Sequence, residues 1–207
     1  LKEIKKIANK YKIPIIEDTA WGCGGYYDEK PLGTYGEMGT FSFDFAKTMT
    51  TGEGGMITFH DSTLYEKAAA WHDHGHENNP SLPRWEDSRS SSGFNYRMNE
   101  LQGAIGLAQL KKLDFVIDKQ RDNYKKIWNA INDLPIVERS KPRESVSTCD
   151  ALVFFVENKH IAIDCRKSLI DKGFGTKILP EAITWHFAGT WDHMDELVKN
   201  NQSPLID

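Results

Sequence analysis

Cysteine is scarce in this chain. Cys23, Cys149 and Cys165 are scattered through 207 residues with no CxxC spacing. That usage favours a reducing compartment over a disulfide framework. Apolar runs are short, and none approaches the roughly 18–20 residues that a bilayer-spanning helix needs. The opening Leu1-Lys2-Glu3-Ile4-Lys5-Lys6 lacks the apolar core of a secretion signal. Neither sign of charge dominates: 26 Lys and Arg face 30 Asp and Glu, for a net charge of -4, so nothing calls for nucleic acid or an anionic membrane. Internal repeats and low-complexity tracts are lacking too. What remains is an ordinary globular composition, 39% hydrophobic and 27% charged. It suffices for one large domain or two small ones, with a cytoplasmic location expected. The chain opens without Met inside an expected helix and stops at Pro204-Leu205-Ile206-Asp207 with no closing element. The expectation is a piece of a longer chain.

The periodicities are those of an α/β protein. Ile4, Ile7, Ala8 and Tyr11 recur at helical spacing, Pro14 ends the helix, and residues 13–18 read as a short buried strand with Asp18 at its carboxyl end. In open α/β sheets ligands gather at that end; a turn-forming or capping Asp is the bland alternative. Gly22, Gly24 and Gly25 permit a bend into Tyr26-Tyr27, and residues 28–31 read as a hairpin turn. Phe41, Phe43 and Phe45 alternate with Ser42 and Asp44 as on a strand, and a second strand covers residues 56–59. A helix follows over 61–73, capped by Asp61 or Ser62, with Leu64, Ala68 and Trp71 as its stripe. The polar run to Ser92 is a loop long enough to be functional or mobile. Asn99 and Gln102 form a capping box for a helix through Leu101, Ala104, Ile105, Ala108 and Leu110. A second long helix turns Val116, Ile117, Tyr124, Ile127, Ile131 and Leu134 inward and ends at Pro135. Residues 138–150 are a candidate boundary. Residues 151–156 then read as an apolar strand and 161–172 as a helix stopped by Gly173.

Lys47 is the residue on which chemistry would turn. It lies between an aromatic strand and the turn Gly52-Glu53-Gly54-Gly55. A buried lysine is costly unless it loses its proton or forms a bond, and a Schiff base does both. A surface lysine on a loop is the alternative. The glycine turn is not a phosphate loop, since Lys47 precedes it and the GK[ST] order is missing. His72, His74 and His76 would share a face on a strand and invite a metal, yet no carboxylate or cysteine partner stands at a recognisable spacing. The expectation is no metal. His186 and His193, with Trp185, Phe187 and Trp191, either line a sugar pocket or pack as an ordinary core.

Four blocks in order resemble the DegT/DnrJ/EryC1/StrS sugar aminotransferases, fold-type I enzymes that use pyridoxal 5′-phosphate. They are Ile16-Glu17-Asp18-Thr19-Ala20, then Gly39 to Gly55 with Lys47, then Asp73-His74-Gly75, then residues 93–110 beginning Gly93-Phe94-Asn95-Tyr96-Arg97-Met98. The resemblance implies an α/β fold: the C-terminal part of a large domain, a mixed sheet with helices on both faces, plus part of a small α/β domain. Residues 1–135 would belong to the first and 136–207 to the second. It implies that Lys47 is the catalytic Schiff-base lysine and that Asp18 pairs with the pyridine nitrogen. Ser42 would contact the phosphate, and Asn95 would reach the phosphate of a neighbouring subunit in a homodimer with a composite site. Trp21 stands where the family commonly has Gln or His, and either stacks near the cofactor or belongs to the core. His74, in a loop near the active site, and His186 are candidate substrate contacts. The implied reaction moves an amino group, with glutamate as the usual donor, to a keto sugar, nucleotide-linked by expectation, for polysaccharide or other amino-sugar synthesis, lipopolysaccharide included. Relatives with His in place of the lysine are sugar dehydratases; retention of Lys47 favours transamination. A noncatalytic cofactor-binding regulator is a further alternative. The run Ser42-Phe43-Asp44 with Lys47-Thr48, and the run Asp73-His74-Gly75-His76, look most like the 8-amino-3,8-dideoxy-octulosonate aminotransferases.

Overall fold

The structure, a computed structural model, describes residues 1–179, 181–182, 191–194 and 196. They form two units: Leu1–Ala130 with Ser140–Leu152, and Ile131–Arg139 with the chain from Val153 onward. Most of the polar stretch 138–150, expected as a boundary, thus returns to the first unit within segment 140–152.

The first unit opens with helix α1 (Lys2–Tyr11), which Lys12 closes in the left-handed conformation before Pro14 is reached. Strand β1 (Ile16–Asp18) runs parallel to β4 (Met38–Ser42), and β4 pairs antiparallel with β5 (Gly55–Phe59). Between β1 and β4, β2 (Tyr26–Tyr27) and β3 (Lys30–Pro31) make a hairpin whose two turn residues, Asp28 and Glu29, both adopt positive φ. Two positive φ values match the right-handed twist of a tight hairpin. Helix α2 (Ser62–His72) packs on β5, with Asp61 Oδ1 accepting from Leu64 N at 2.8 Å. Helix α3 (Glu100–Leu110) carries the full Asn99–Gln102 capping box, and α4 (Leu113–Ile131) follows. Ile117 of α4 packs on Gly24, where any Cβ would fall 2.1 Å from Ile117 Cδ1. A side chain at Gly24 would therefore displace the end of Ile117, which packs α4 on the bend that follows Trp21. Strand β6 (Val137–Glu138) belongs to the second unit. Strand β7 (Ser145–Val146) pairs with β2 in the first.

In the second unit, β6 pairs with β8 (Phe154–Phe155), and α5 (Lys159–Asp171) is capped by Asn158. Strand pairing over 151–156 thus shrinks to two residues, since β6 offers only two partners.

Several expected core positions are exposed. Ile4, Ile7 and Tyr11 of α1 are 58–62% exposed, and only Ala8 is buried. Ile13 and Ile16 are also exposed, so residues 13–18 are not a buried strand. In α3 the apolar stripe Leu101, Ala104, Ile105 and Ala108 faces outward, while Gln102, Gly103, Gly106 and Gln109 form the half-covered side. Ile117 and Tyr124 of α4 are buried as expected, but Ile127 and Leu134 are exposed. Helical periodicity predicts which residues share a face, not whether another layer covers it. Among the described residues nothing covers these faces.

Candidate functional site

The site grows from the register of two strands. Asp18 pairs with Thr40, so Asp18, Thr40 and Ser42 project from one face of the sheet, and Glu17, Gly39 and Phe41 from the other. Ser42 lies two residues beyond Thr40, about 7 Å further along β4. Asp18 is exposed at the carboxyl end of β1, and its Oδ1 accepts from Ala20 N at 3.0 Å. Thr19 fastens the chain there: its N and Oγ1 both donate to Thr40 O, at 2.9 and 2.5 Å. Gly22 N then donates to Thr19 O at 2.8 Å, a tight turn that carries Trp21.

The loop with Lys47 is closed at one residue. Phe43 N donates to Gly54 O at 2.8 Å, and Phe43 O accepts from Thr51 N at 2.9 Å and Thr50 Oγ1 at 3.2 Å. Phe43 is buried, whereas Phe45 is 77% exposed, because β4 stops at Ser42 and the alternation does not reach Phe45. Lys47 N donates to Asp44 O at 3.0 Å, and Lys47 Nζ lies 3.8 Å from the centroid of the Trp21 ring. This is cation–π distance. Lys47 is half-buried and Trp21 54% exposed, so Trp21 is an accessible platform and not core packing.

Asn95 and His74 stand in a separate cluster. Asp73 forms an isolated antiparallel bridge with Asn95, and His74 N donates to Phe94 O at 3.0 Å. The Asp73 carboxylate is buried against two arginines. Arg84 binds it in a fork, Nη1 to Oδ2 at 2.9 Å and Nη2 to Oδ1 at 2.6 Å, and Arg97 Nε lies 3.2 Å from Oδ1. The Arg84 hydrogen bonds lead in lowering the Asp73 pKa from 3.8 to about 2. A second buried carboxylate, Asp87, accepts from Asn78 N and Asn79 N at 2.9 and 3.1 Å. Burial works against its ionisation, but those N–H groups and His76 outweigh it and hold its pKa below the usual value. His76 Nδ1 approaches Asp87 Oδ2 at 3.2 Å, close but poorly directed for a hydrogen bond. The long polar loop is therefore an anchored one.

The histidine trio does not converge. His72 ends α2 with Nδ1 against Ala69 O at 2.8 Å, His74 is exposed at positive φ, and His76 is buried beside Asp87. Among the described residues no three His, Cys, Asp or Glu side chains are arranged to hold a metal. His186 lies outside the described residues, as do Trp185 and Phe187. His193 stacks on Trp191 with 6.2 Å between ring centroids.

Sequence reasoning passed over three participants. Glu17, the neighbour of Asp18, is buried, and its carboxylate accepts the backbone N–H groups of Gly33, Tyr35 and Gly36 at 3.0, 2.5 and 2.8 Å. Arg84 and Arg97 were missed as well. Arg97 lies inside the recognised block, but an isolated Arg84 in a polar loop carries no pattern. Gln102 also does more than cap: its Nε2 donates to Glu53 O at 2.7 Å, tying α3 to the glycine turn.

Residues 1–198 match the DegT/DnrJ/EryC1/StrS aminotransferase family. The chain belongs to that family. It is 40% identical over 134 residues to GDP-perosamine synthase of Escherichia coli O157:H7, covering 63% of this chain and 35% of that protein. Among solved structures, it resembles Helicobacter pylori PseC, an aminotransferase involved in the biosynthesis of pseudoaminic acid. The TM-score there is 0.80 at 24% identity, over 98% of this chain and 53% of that one. The E. coli GDP-4-keto-6-deoxy-D-mannose-3-dehydratase with bound hydrated PLP has a TM-score of 0.77 at 25% identity, over 96% and 52% of the two chains. The chain thus spans from about a third to about half of the length of these relatives. The fold is that of the pyridoxal phosphate aminotransferases, and pyridoxal 5′-phosphate is the cofactor of the family.

The donor set present fits that cofactor. An amine, a carboxylate and a hydroxyl, those of Lys47, Asp18 and Ser42, stand at one end of the parallel strand pair, the carboxylate and hydroxyl on one face. These are the groups that a carbonyl, a protonated ring nitrogen and a phosphate each require.

Proposed function

We propose that the protein is a pyridoxal phosphate-dependent aminotransferase that moves an amino group, with glutamate as donor, to a nucleotide-linked keto sugar. The observation that carries this reading is Lys47 held over Trp21 at the strand end that also presents Asp18 and Ser42. The named functions of the relatives, GDP-perosamine synthase above all, support the sugar class. The dehydratase reading shares the fold but has His where this chain has Lys47.

When bound, pyridoxal phosphate supplies an electron sink for the carbanion left when a proton departs the carbon beside nitrogen. Lys47 holds the cofactor through its amine and, once released, moves that proton as base and then acid. Asp18 keeps a positive charge on the ring nitrogen through its own negative charge. Ser42 donates its hydroxyl to the phosphate, Trp21 flanks Lys47, and His74 reaches the substrate. Asn95 reaches the site of a second copy, making a homodimer with composite sites. The division expected at residue 135 then separates part of the cofactor-binding large domain from part of the small one, with segment 140–152 staying in the first unit. Such an enzyme works on nucleotide sugars in the cytoplasm, and its product feeds a surface polysaccharide such as lipopolysaccharide.

The deciding experiment is an absorbance spectrum of the full-length protein with pyridoxal phosphate, before and after borohydride, beside Lys47→Ala. An imine band that borohydride removes in the wild type and that Lys47→Ala lacks is expected. No reducible band in the wild type sinks the reading. Glutamate conversion to 2-oxoglutarate over a panel of keto sugars then separates transaminase from dehydratase.

A further inference from the structure

We propose that Asp73 is a positioning residue for Asn95, acting through Arg97 to present the Asn95 amide N–H group to a bound phosphate. This rests on the cofactor reading above, in which Asn95 is a phosphate contact. Asp73 is 4% exposed, at the end of α2. Arg84 grips both its oxygens, and Arg97 Nε lies 3.2 Å from Oδ1. The same Nε donates to Asn95 Oδ1 at 3.1 Å.

The single Nε–H of Arg97 goes to Asn95, so Asp73 holds that guanidinium in place by charge, at 3.2 Å, and not by a hydrogen bond. Its N–H reaches Asn95 from one direction and occupies the amide oxygen. Only the NH2 end of Asn95 then remains for a ligand, and phosphate oxygens accept hydrogen bonds and cannot donate them when ionised. Without Arg97 the amide could turn its oxygen outward, and two acceptors would face each other. The backbone fixes the other end. Asp73 and Asn95 are bridged, Tyr96 N donates to His72 O at 2.9 Å, and His74 N to Phe94 O at 3.0 Å.

The test compares pyridoxal 5′-phosphate with pyridoxal, which lacks the phosphate, as ligands of the full-length protein. Binding is read from the imine band in wild type, Asp73→Asn, Arg97→Gln, Asn95→Ala and the double variant Asp73→Asn/Asn95→Ala. Each single variant is expected to bind pyridoxal phosphate about tenfold more weakly, the scale of one charge-assisted hydrogen bond. Pyridoxal binding should stay at its wild-type level, and the double variant should be no weaker than Asn95→Ala. Asp73→Asn could disturb the loop itself, so Arg97→Gln, at a half-exposed side chain, provides a second route. Circular dichroism melts check both. If Asn95→Ala loses the phosphate preference while Asp73→Asn and Arg97→Gln weaken both ligands equally, or neither, the positioning role falls and the cofactor reading stands. If Asn95→Ala keeps the preference, Asn95 is no phosphate contact and the proposal falls with it. If wild type gives no reducible band with either ligand, the cofactor reading itself has failed.

Discussion

The ammonium of Lys47 rests on the face of Trp21, 3.8 Å from the ring centroid. A cation–π contact at a partly exposed site contributes about 0.5–1 kcal/mol. Trp21→Ala should therefore change the apparent affinity for pyridoxal phosphate by about two- to fivefold, with Trp21→Phe intermediate, because a phenyl face is a weaker platform. Titration of the imine band measures it. Identical titrations for all three proteins would mean that Trp21 has no part in holding Lys47.

The composite site proposed above makes a prediction about mixtures. With pyridoxal phosphate held below the weakened affinity of Asn95→Ala, Lys47→Ala subunits should be inactive and Asn95→Ala subunits strongly reduced, and mixed dimers should regain activity. One of the two sites in such a dimer keeps both residues. Activity assays after co-refolding check this, and failure to regain any activity argues that Asn95 serves its own subunit's site.

Asp73 sets a pH dependence. Its pKa is depressed in the folded protein, from 3.8 to about 2. A depressed carboxylate contributes stability that is present above its unfolded pKa and is lost as pH falls through the folded value. The Arg84–Asp73–Arg97 cluster should thus hold the loop down to about pH 4 and release it progressively toward pH 2. Protection of the Ser90 and His76 amides, read by hydrogen exchange, reports the release. In Asp73→Asn the step in this window should shrink to the part that Asp87 contributes.

Gly75 is the tightest point of that loop. Its φ is +84°, and a Cβ there would lie 1.8 Å from Ser91 O. Gly75→Ala should cost about 2–3 kcal/mol, combining strained backbone with a clash against main chain that has no side-chain end to give. Urea unfolding, with proteolysis at residues 77–92, measures it.

Glu17 is a charged acceptor buried among three backbone donors. Glu17→Gln removes the charge and points an NH2 at one of those donors, which should destabilise by about 2–3 kcal/mol. Equilibrium unfolding at neutral pH gives the value.

Local chemistry was legible in the sequence wherever the cause lies within a few residues. The capping box at Asn99, the Asp61 cap and the hairpin at Asp28 are local events, and each forms, the turn narrowing from residues 28–31 to Asp28 and Glu29. Lys47 and Asp18 stood out because a lone charge at a strand end is unusual. Burial was much less legible. Leu101, Ile105 and Ile7 have helical spacing, yet coverage depends on a layer that periodicity cannot supply. Arg84 was invisible for a related reason: its partner Asp73 is 11 residues away, and only the folded loop brings them together. Glu17 was overlooked because alternation assigns it to the face opposite Asp18, and its three partners are backbone groups of a loop 16–19 residues on.

One side-chain amide links two of these regions. Gln102 accepts from Asn99 N through Oε1 at 3.0 Å and donates to Glu53 O through Nε2 at 2.7 Å. A capping box tolerates either Glu or Gln at this position. The second bond does not, since a carboxylate has no hydrogen to give to a carbonyl. Gln102→Glu would keep the helix cap while setting two acceptors against each other at the turn beyond Lys47. The choice of glutamine over glutamate at the start of a helix is thereby a requirement of the lysine loop, written some fifty residues downstream of it.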